Sequence, residues 1–409
     1  MIVLVINCGS SSLKYQVLDM QDANNYSLLA KGLVERIGLE MGEVTHRPAG
    51  KDKVVIDKPV PDHTEGIKSV LELLTDPKCG VLKSLNEIQA VGHRVAHGGV
   101  LLPLVCLIDD KVIEGIESLC ELAPLHNLAN LLGIRAVKTL LPAVPQVAVF
   151  DTSFHQTMPD YAYMYAIPYE CYENYRIRRY GFHGTSHKFV AQKACEFLGM
   201  DINNSKIVTC HLGNGGSVTA VLNGKSVDTS MGFTPVEGVV MGTRCGNIDA
   251  GVVTYIQEKE HLDVSGITSF LNKKSGFLGG SGVSSAPPPP PPPCRDIVNA
   301  RDGGNYRAGL ALNMFFHSVR KYIGAYSAVM GGLDVIVFTG GIGENDAEAR
   351  EEICRTLGYL GVQFDSAAND GVRGEDKLLS KPTSKVKVLT LTTNEELVIA
   401  RDTMHLVRG

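Results

Sequence analysis

The sequence predicts an α/β protein of two domains built on a duplicated strand–turn–strand unit, and three observations carry that expectation. At 409 residues the chain exceeds what one hydrophobic core usually organises, since domains run to roughly 150 residues. Apolar runs with period-two alternation are interleaved with segments of helical spacing, the mixture that packs helices against sheets. The opening "IVLVINCGSSSLKYQVLDM" has a second copy of its design in "KIVTCHLGNGGSVTAVLNGKSVD", and like units far apart in one chain indicate an internal duplication.

In chain order, the first copy reads as an apolar strand, a Gly/Ser turn and a second strand that alternates apolar and polar residues. Helical spacing predicts helices over 66–74, 125–140, 187–198, 248–259 and 306–330, with a strand at 146–150. The second copy places strands at 207–210 and 218–222 around the glycine turn 213–216. "LDVIVFTGGIGEN" adds a strand and a third glycine turn, after which Ala347, Ile353, Leu357 and Leu360 share a helical face. Seven consecutive prolines at 287–293 exclude helix and central strand, and as polyproline II they would reach about 22 Å. On composition, a local insertion or loop is expected there rather than a docking ligand.

Composition removes several function classes. Hydrophobic residues at 44% and charged residues at 20% describe a globular chain rather than a disordered or fibrous one. Lys and Arg number 39 against 44 Asp and Glu, a net charge of -5 with no basic run, so nucleic acid is not an expected partner. The longest apolar stretch, 100–108, is nine residues and contains Pro103, whereas a membrane helix needs about 20. "MIVLVI" passes at once into Asn, Gly and Ser, and the first basic residue is Lys14, so no secretion leader is read. Ten cysteines with no C-x-x-C pair argue against a zinc site or a disulfide framework and for reduced thiols in a cytoplasmic protein.

The chemistry lies in the turns. Each glycine turn follows an apolar strand and offers backbone N–H groups with no Cβ to block close approach. One alone is an ordinary tight turn; three together, with Ser10, Ser12, Lys14 and Asn214 beside them, favour phosphate. No G-x-x-x-x-G-K-[ST] is present, and "GGIGEN" lacks the third glycine of a dinucleotide fingerprint because position 346 is Asp. Four clusters, "GHRVAHGG", "FDTSFHQTMP", "GFHGTSH" and "MGTRCGNIDAG", set Arg, Asp or His among small residues, a pattern suited to loops lining a cleft. Taken singly, each Arg reads equally as a surface ion pair and each His as a structural hydrogen-bonding residue.

With "NCGSSSLKY", "APLHN", "VFDTSFH", "RRYGFHGTSH", "HLGNGGS", "TPVEGVVMGTRCGNID", "FTGGIGEN" and "TNEEL" in this order, the chain resembles the acetate kinase family over nearly its whole length. The resemblance implies a two-domain duplicated actin/hexokinase/Hsp70-like (ribonuclease H-like) α/β fold with an interdomain cleft. Domain I would be 1–151 plus 396–409, on the acyl-substrate side, and domain II 152–395, on the nucleotide side. It further implies reversible transfer of the ATP γ-phosphoryl group to acetate or another short-chain carboxylate, with Mg²⁺ or Mn²⁺, in a homodimer.

Carried over residue by residue, the resemblance makes Arg94, Asp151, His183 and Arg244 catalytic and places Asn7 and Glu395 at the metal. The nucleotide would meet Ser10, Ser12, Lys14, His211, Leu212, Gly213, Asn214, Gly215, Arg295, Gly341, Ile342, Gly343, Glu344 and Asn345. The acyl pocket would comprise Arg94, Ala96, Leu125, Phe182 and Pro235. Acetate kinases commonly carry Val where this chain has Ala96, which makes propionate an alternative substrate. The chain departs from the family at "SSAPPPPPPPCRD", where an Asp near the adenosine is replaced although Arg295 is kept, and at the apolar segment 100–106. A non-enzymatic, nucleotide-gated member of the same fold would need a partner-binding module, and a sugar kinase a carboxylate base for its hydroxyl acceptor; paired arginines suit a carboxylate acceptor instead.

Overall fold

The first apolar run and the alternating segment after it form an antiparallel hairpin, β1 (Ile2–Cys8) and β2 (Ser12–Met20), with Asn7 opposite Lys14. The computed structural model describes residues 1–102, 104–121, 124–283 and 294–409, for Pro124 and Leu125 the backbone alone. The proline run and the side chain of Leu125, expected in the acyl pocket, therefore lie outside the described residues. The chain divides into two compact units, Met1–Ser153 with Asn394–Gly409, and Phe154–Thr393.

In the first unit the hairpin continues as an antiparallel meander through β3 (Tyr26–Glu35), β4 (Gly42–Pro48) and β5 (Val54–Lys58). On its other side β1 pairs in parallel with β6 (Ile88–Val95). The short β7 (Cys106–Leu107) closes the edge, antiparallel to β8 (Gln146–Phe150), which is itself parallel to β6. Alternation in β2 buries Leu13, Tyr15 and Val17 and leaves Lys14 exposed, while every residue of β8 is buried, as expected of a parallel strand covered on both faces. The Glu395–Arg408 helix packs on this sheet where Gly92 leaves room: a Cβ there would lie 2.4 Å from Thr403 Oγ1 and 2.7 Å from Ile399 Cγ2.

The second unit repeats the scheme. Antiparallel strands β9 (Lys206–Leu212), β10 (Gly216–Leu222) and β11 (Lys225–Thr229) are followed by β12 (Val335–Thr339), parallel to β9. The edge strand β13 (Lys377–Leu378) is antiparallel to β14 (Lys387–Thr390), which runs parallel to β12. Hairpin, two parallel neighbours and an antiparallel edge thus recur in the same order, and the duplication read from two sequence motifs is present as topology. The Tyr306–Val329 helix supplies Leu312, Phe315, Val319 and Ile323 to the core of this unit.

Helix starts follow their caps rather than the apolar spacing. The helix expected from 66 begins at His63 because Asp62 accepts from the Glu65 N–H at 2.9 Å, and that expected from 248 begins at Ala250 because Asp249 accepts from Gly251 at 2.6 Å. The third glycine motif is not a simple turn. It forms the short helix Gly340–Asn345, entered through Gly340 at φ +76°, where a Cβ would lie 2.8 Å from the Leu212 carbonyl oxygen.

Candidate active site

In the first unit Asn7, Arg94 and Asp151 stand at the carboxyl ends of the neighbouring parallel strands β1, β6 and β8, the edge at which open α/β sheets collect ligands. Arg94 Nε donates to Asp151 Oδ1 at 3.1 Å, Nη2 donates to Oδ2, and Nη1 donates to Asn7 Oδ1 at 3.3 Å. The Asp151 side chain is 2% exposed and that of Arg94 22%, so a buried carboxylate fixes a guanidinium whose rim still reaches solvent. Burial alone would weaken the charge on Arg94, but Asp151, Glu395 and Glu396 outweigh it and hold the guanidinium more firmly protonated. Burial pushes the Glu395 carboxyl up to about 7, with Arg94 opposing and Asp151 and Glu396 adding to the rise.

Ala96 is buried on the loop after β6. Its N–H donates to Asn130 Oδ1 at 3.0 Å, the His97 N–H donates to Asn127 Oδ1 at 3.0 Å, and Asn127 Nδ2 donates back to the His97 carbonyl at 2.9 Å. Two asparagines one helical turn apart on the Pro124–Leu140 helix thereby hold the chain that carries Arg94. Ser10 and Lys14 are exposed, and the turn between β1 and β2 closes with the Gly9 N–H donating to the Ser12 carbonyl at 2.7 Å.

In the second unit a cavity of about 590 Å³ is lined by Gly213 and Asn214 from the β9–β10 turn, by Gly341, Ile342 and Asn345, and by Arg295 and Arg373. His211, Leu212, Gly215, Gly343 and Glu344 do not line it. Leu212 is buried in the core, the Gly343 carbonyl accepts from Arg350 Nη1 at 3.0 Å, and the Glu344 carboxylate accepts from the N–H groups of Gly340 at 3.0 Å and Thr393 at 3.1 Å. Arg350 is wholly buried and also donates to Asn369 Oδ1 at 2.8 Å and the Val372 carbonyl at 2.9 Å, tying the glycine helix to the loop that bears Arg373. Burial lowers its pKa.

Beside the β9–β10 turn, a Cβ on Gly215 would lie 3.4 Å from Arg244 Nη1 and 3.5 Å from His183 Cε1, so both side chains face one glycine. Arg244 Nη1 donates to the Pro235 carbonyl at 3.2 Å, and among the described residues no carboxylate makes an ion pair with it. Burial lowers its pKa. His183 holds a left-handed backbone at φ +55° at the start of the Gly184–Leu198 helix, a conformation that costs a non-glycine residue energy and recurs at functional sites. Its ring stacks on His211, with centroids 4.3 Å apart, and Phe182 before it is buried. The sequence reading missed Asn127, Asn130, Arg350 and Arg373. A signal existed for Arg350: a charged residue on the helical face shared by Ile353 and Leu357.

Residues 2–401 match the model of the Acetokinase family. An acetate kinase of Caldanaerobacter subterraneus is 56% identical over 408 residues, 100% of this chain and 99% of its own length. The crystal structure of Porphyromonas gingivalis acetate kinase aligns with a TM-score of 0.93 at 48% identity, covering 99% of each chain. That of a propionate kinase from Francisella tularensis gives 0.89 at 40% identity, again covering 99% of each. The fold is thus the duplicated one expected, and with a family model and close relatives spanning its length, the chain belongs to the acetokinase family.

Proposed function

We propose that this chain transfers the γ-phosphoryl group of ATP reversibly to acetate, giving acetyl phosphate and ADP by direct in-line displacement. The observation that carries the reading is Arg244, a half-buried guanidinium with no carboxylate partner among the described residues, set beside His183 at a phosphate-binding turn. An anion relieves that burial, and a transferring phosphoryl group is the anion the neighbouring cavity would deliver.

Acetate is ionised near neutral pH, its pKa class being about 4, so the acceptor needs no base. Positioning and charge stabilisation supply the catalysis. Arg94, oriented by Asp151, steers the acetate carboxylate, and Arg244 and His183 donate to the equatorial oxygens of the transferring group. Asp151 serves as an orienting residue, since both its oxygens accept from the Arg94 guanidinium. ATP would lay its phosphates along His211, Gly213, Asn214 and Gly215 and its adenosine along Gly341, Ile342, Asn345 and Arg295, with Lys14 near the phosphates. Leu212, Gly343 and Glu344 would shape that surface rather than touch the nucleotide by their side chains.

The donors Asn7 and Glu395 fit Mg²⁺ or Mn²⁺: one amide oxygen and one carboxylate suit a hard cation that takes its other ligands from phosphate and water. Among the described residues no three His, Cys, Asp or Glu side chains form a metal cage. Held by Asn7 and Glu395, such a cation would supply positive charge to the phosphate oxygens. The small side chain at Ala96, a position that the resemblance puts in the acyl pocket, supports propionate as a second substrate. Self-association as a homodimer is supported by the exposed row Tyr306, Leu310 and Met314 on one helix, and a cytoplasmic location by ten unpaired cysteines; no described helix is long and apolar enough to cross a membrane.

The test is acyl phosphate formation from ATP, Mg²⁺ and acetate, trapped with hydroxylamine, for the wild type, Arg94→Ala and Arg244→Ala. Product is expected from the wild type, with kcat lowered on the order of 10³ in each variant. No product with acetate, propionate and butyrate alike would overturn the reading.

A further inference from the structure

Ser217 closes the glycine turn read as a phosphate loop, yet it is wholly buried. Among the described residues its hydroxyl has two partners, His183 Nδ1 at 2.9 Å and His187 Nε2 at 2.7 Å. The other nitrogen of His187 lies 2.7 Å from the Thr209 hydroxyl, which is also wholly buried and has no other side-chain hydrogen-bond partner among the described residues.

These contacts fix the direction of every proton in the chain. A buried hydroxyl places its single proton on an acceptor, and for Thr209 that acceptor is His187 Nδ1. His187 stays neutral, because burial, with His155 and His211 beside it, drives its pKa well down. Its one proton therefore sits on Nε2 and is donated to Ser217. The Ser217 proton is left for His183 Nδ1. A neutral His183 that accepts at Nδ1 carries its own proton on Nε2, as in other sites where the bond at one ring nitrogen sets the state of the other.

We propose that Thr209, His187 and Ser217 form a one-way hydrogen-bond relay that holds His183 in its Nε2–H form, so that Nε2 donates to the transferring phosphoryl group. Ser217 is thus a positioning residue. The opposite tautomer would turn a lone pair toward phosphoryl oxygens and repel them. No proton is transferred in the step; the relay sets orientation and polarity. The left-handed backbone of His183 and its stacking on His211 restrain the ring, and the relay selects which nitrogen bears the proton. This use of the relay rests on the reading of His183 as a donor to the phosphoryl group.

The experiment is ¹⁵N NMR of the full chain with labelled histidine, the His183 signals assigned by His183→Gln, together with steady-state kinetics of Ser217→Ala. In the wild type near pH 7.5, His183 Nε2 should appear protonated and Nδ1 unprotonated. In Ser217→Ala the two nitrogens should move toward averaged shifts, and kcat should fall by roughly 10-fold to 100-fold with KM for ATP and acetate little changed. A wild-type His183 protonated on Nδ1, or on both nitrogens, overturns the relay whether or not the variant folds. The expected tautomer with kcat unchanged in Ser217→Ala would instead remove the donor role of His183, and with it the function assigned to the relay.

Discussion

Asp151 receives two hydrogen bonds from Arg94, through Nε at 3.1 Å and through Nη2, and gives up both carboxylate oxygens to them. A carboxylate engaged on both oxygens by one guanidinium is placed to orient it. Asp151→Asn keeps the volume but removes the charge and one of the two acceptors. Since misplacing a catalytic group by about 1 Å costs on the order of 100-fold, kcat should fall by about that factor. The pH profile should keep the shape of the wild type. Disappearance of an acidic limb in the variant would show Asp151 to be a general base after all.

Arg350 makes three buried hydrogen bonds that hold the glycine helix to the loop carrying Arg373. Arg350→Gln leaves two of those acceptors unpaired, at about 1 to 3 kcal/mol each. Urea unfolding should show a loss in that range, and KM for ATP should rise more than KM for acetate because the disturbed loops line the 590 Å³ cavity. Equal changes in both KM values would mean that Arg350 stabilises the chain without shaping the nucleotide surface.

The contrast between Arg350 and Arg94 shows what the sequence made legible. Two glycine hairpins announced the duplicated sheets, and clusters such as "GHRVAHGG" marked the strand ends where Arg94 and Asp151 stand. The residues that hold those groups were hidden because their partners are remote in the chain: Asn130 reaches the carbonyl of Cys8, 122 residues away. Leu212 and Glu344 stood inside apparent binding motifs, yet the core takes one and backbone N–H groups take the other. Motif membership does not reveal which way a side chain turns.

Ala96 is 4% exposed, so Ala96→Val adds two methyl groups at a packed position. A pocket distinguishes one methylene by about 1 to 3 kcal/mol, hence the propionate-to-acetate ratio of kcat/KM should fall by roughly 10-fold to 200-fold at most. The ratio is measured in wild type and variant at the same ATP and Mg²⁺. An unchanged ratio would mean that position 96 does not set acyl length.

His93 is buried beside Gln146, its Nε2 2.8 Å from Oε1, and burial lowers its pKa to about 4. The unfolded chain, with an ordinary value of about 6.5, binds more protons between those two values. The stability that comes from keeping His93 neutral is therefore complete above the unfolded value and lost as pH falls toward 4. By pH 5 the loss is on the order of 2 kcal/mol. Urea unfolding at pH 7 and pH 5 should show a difference smaller by about that amount in His93→Gln; His187, lowered in the same direction, leaves part of the slope in place. An identical difference in the two proteins would place the protonation elsewhere.

The proposed reaction passes the phosphoryl group directly from ATP to a carboxylate, with no protein nucleophile. The most direct measurement is the stereochemical course with ATP made chiral at the γ-phosphorus by oxygen isotopes and acetate as acceptor. A single in-line displacement predicts inversion at phosphorus in the acetyl phosphate formed. Retention would require two displacements through a phosphorylated side chain and would contradict the account.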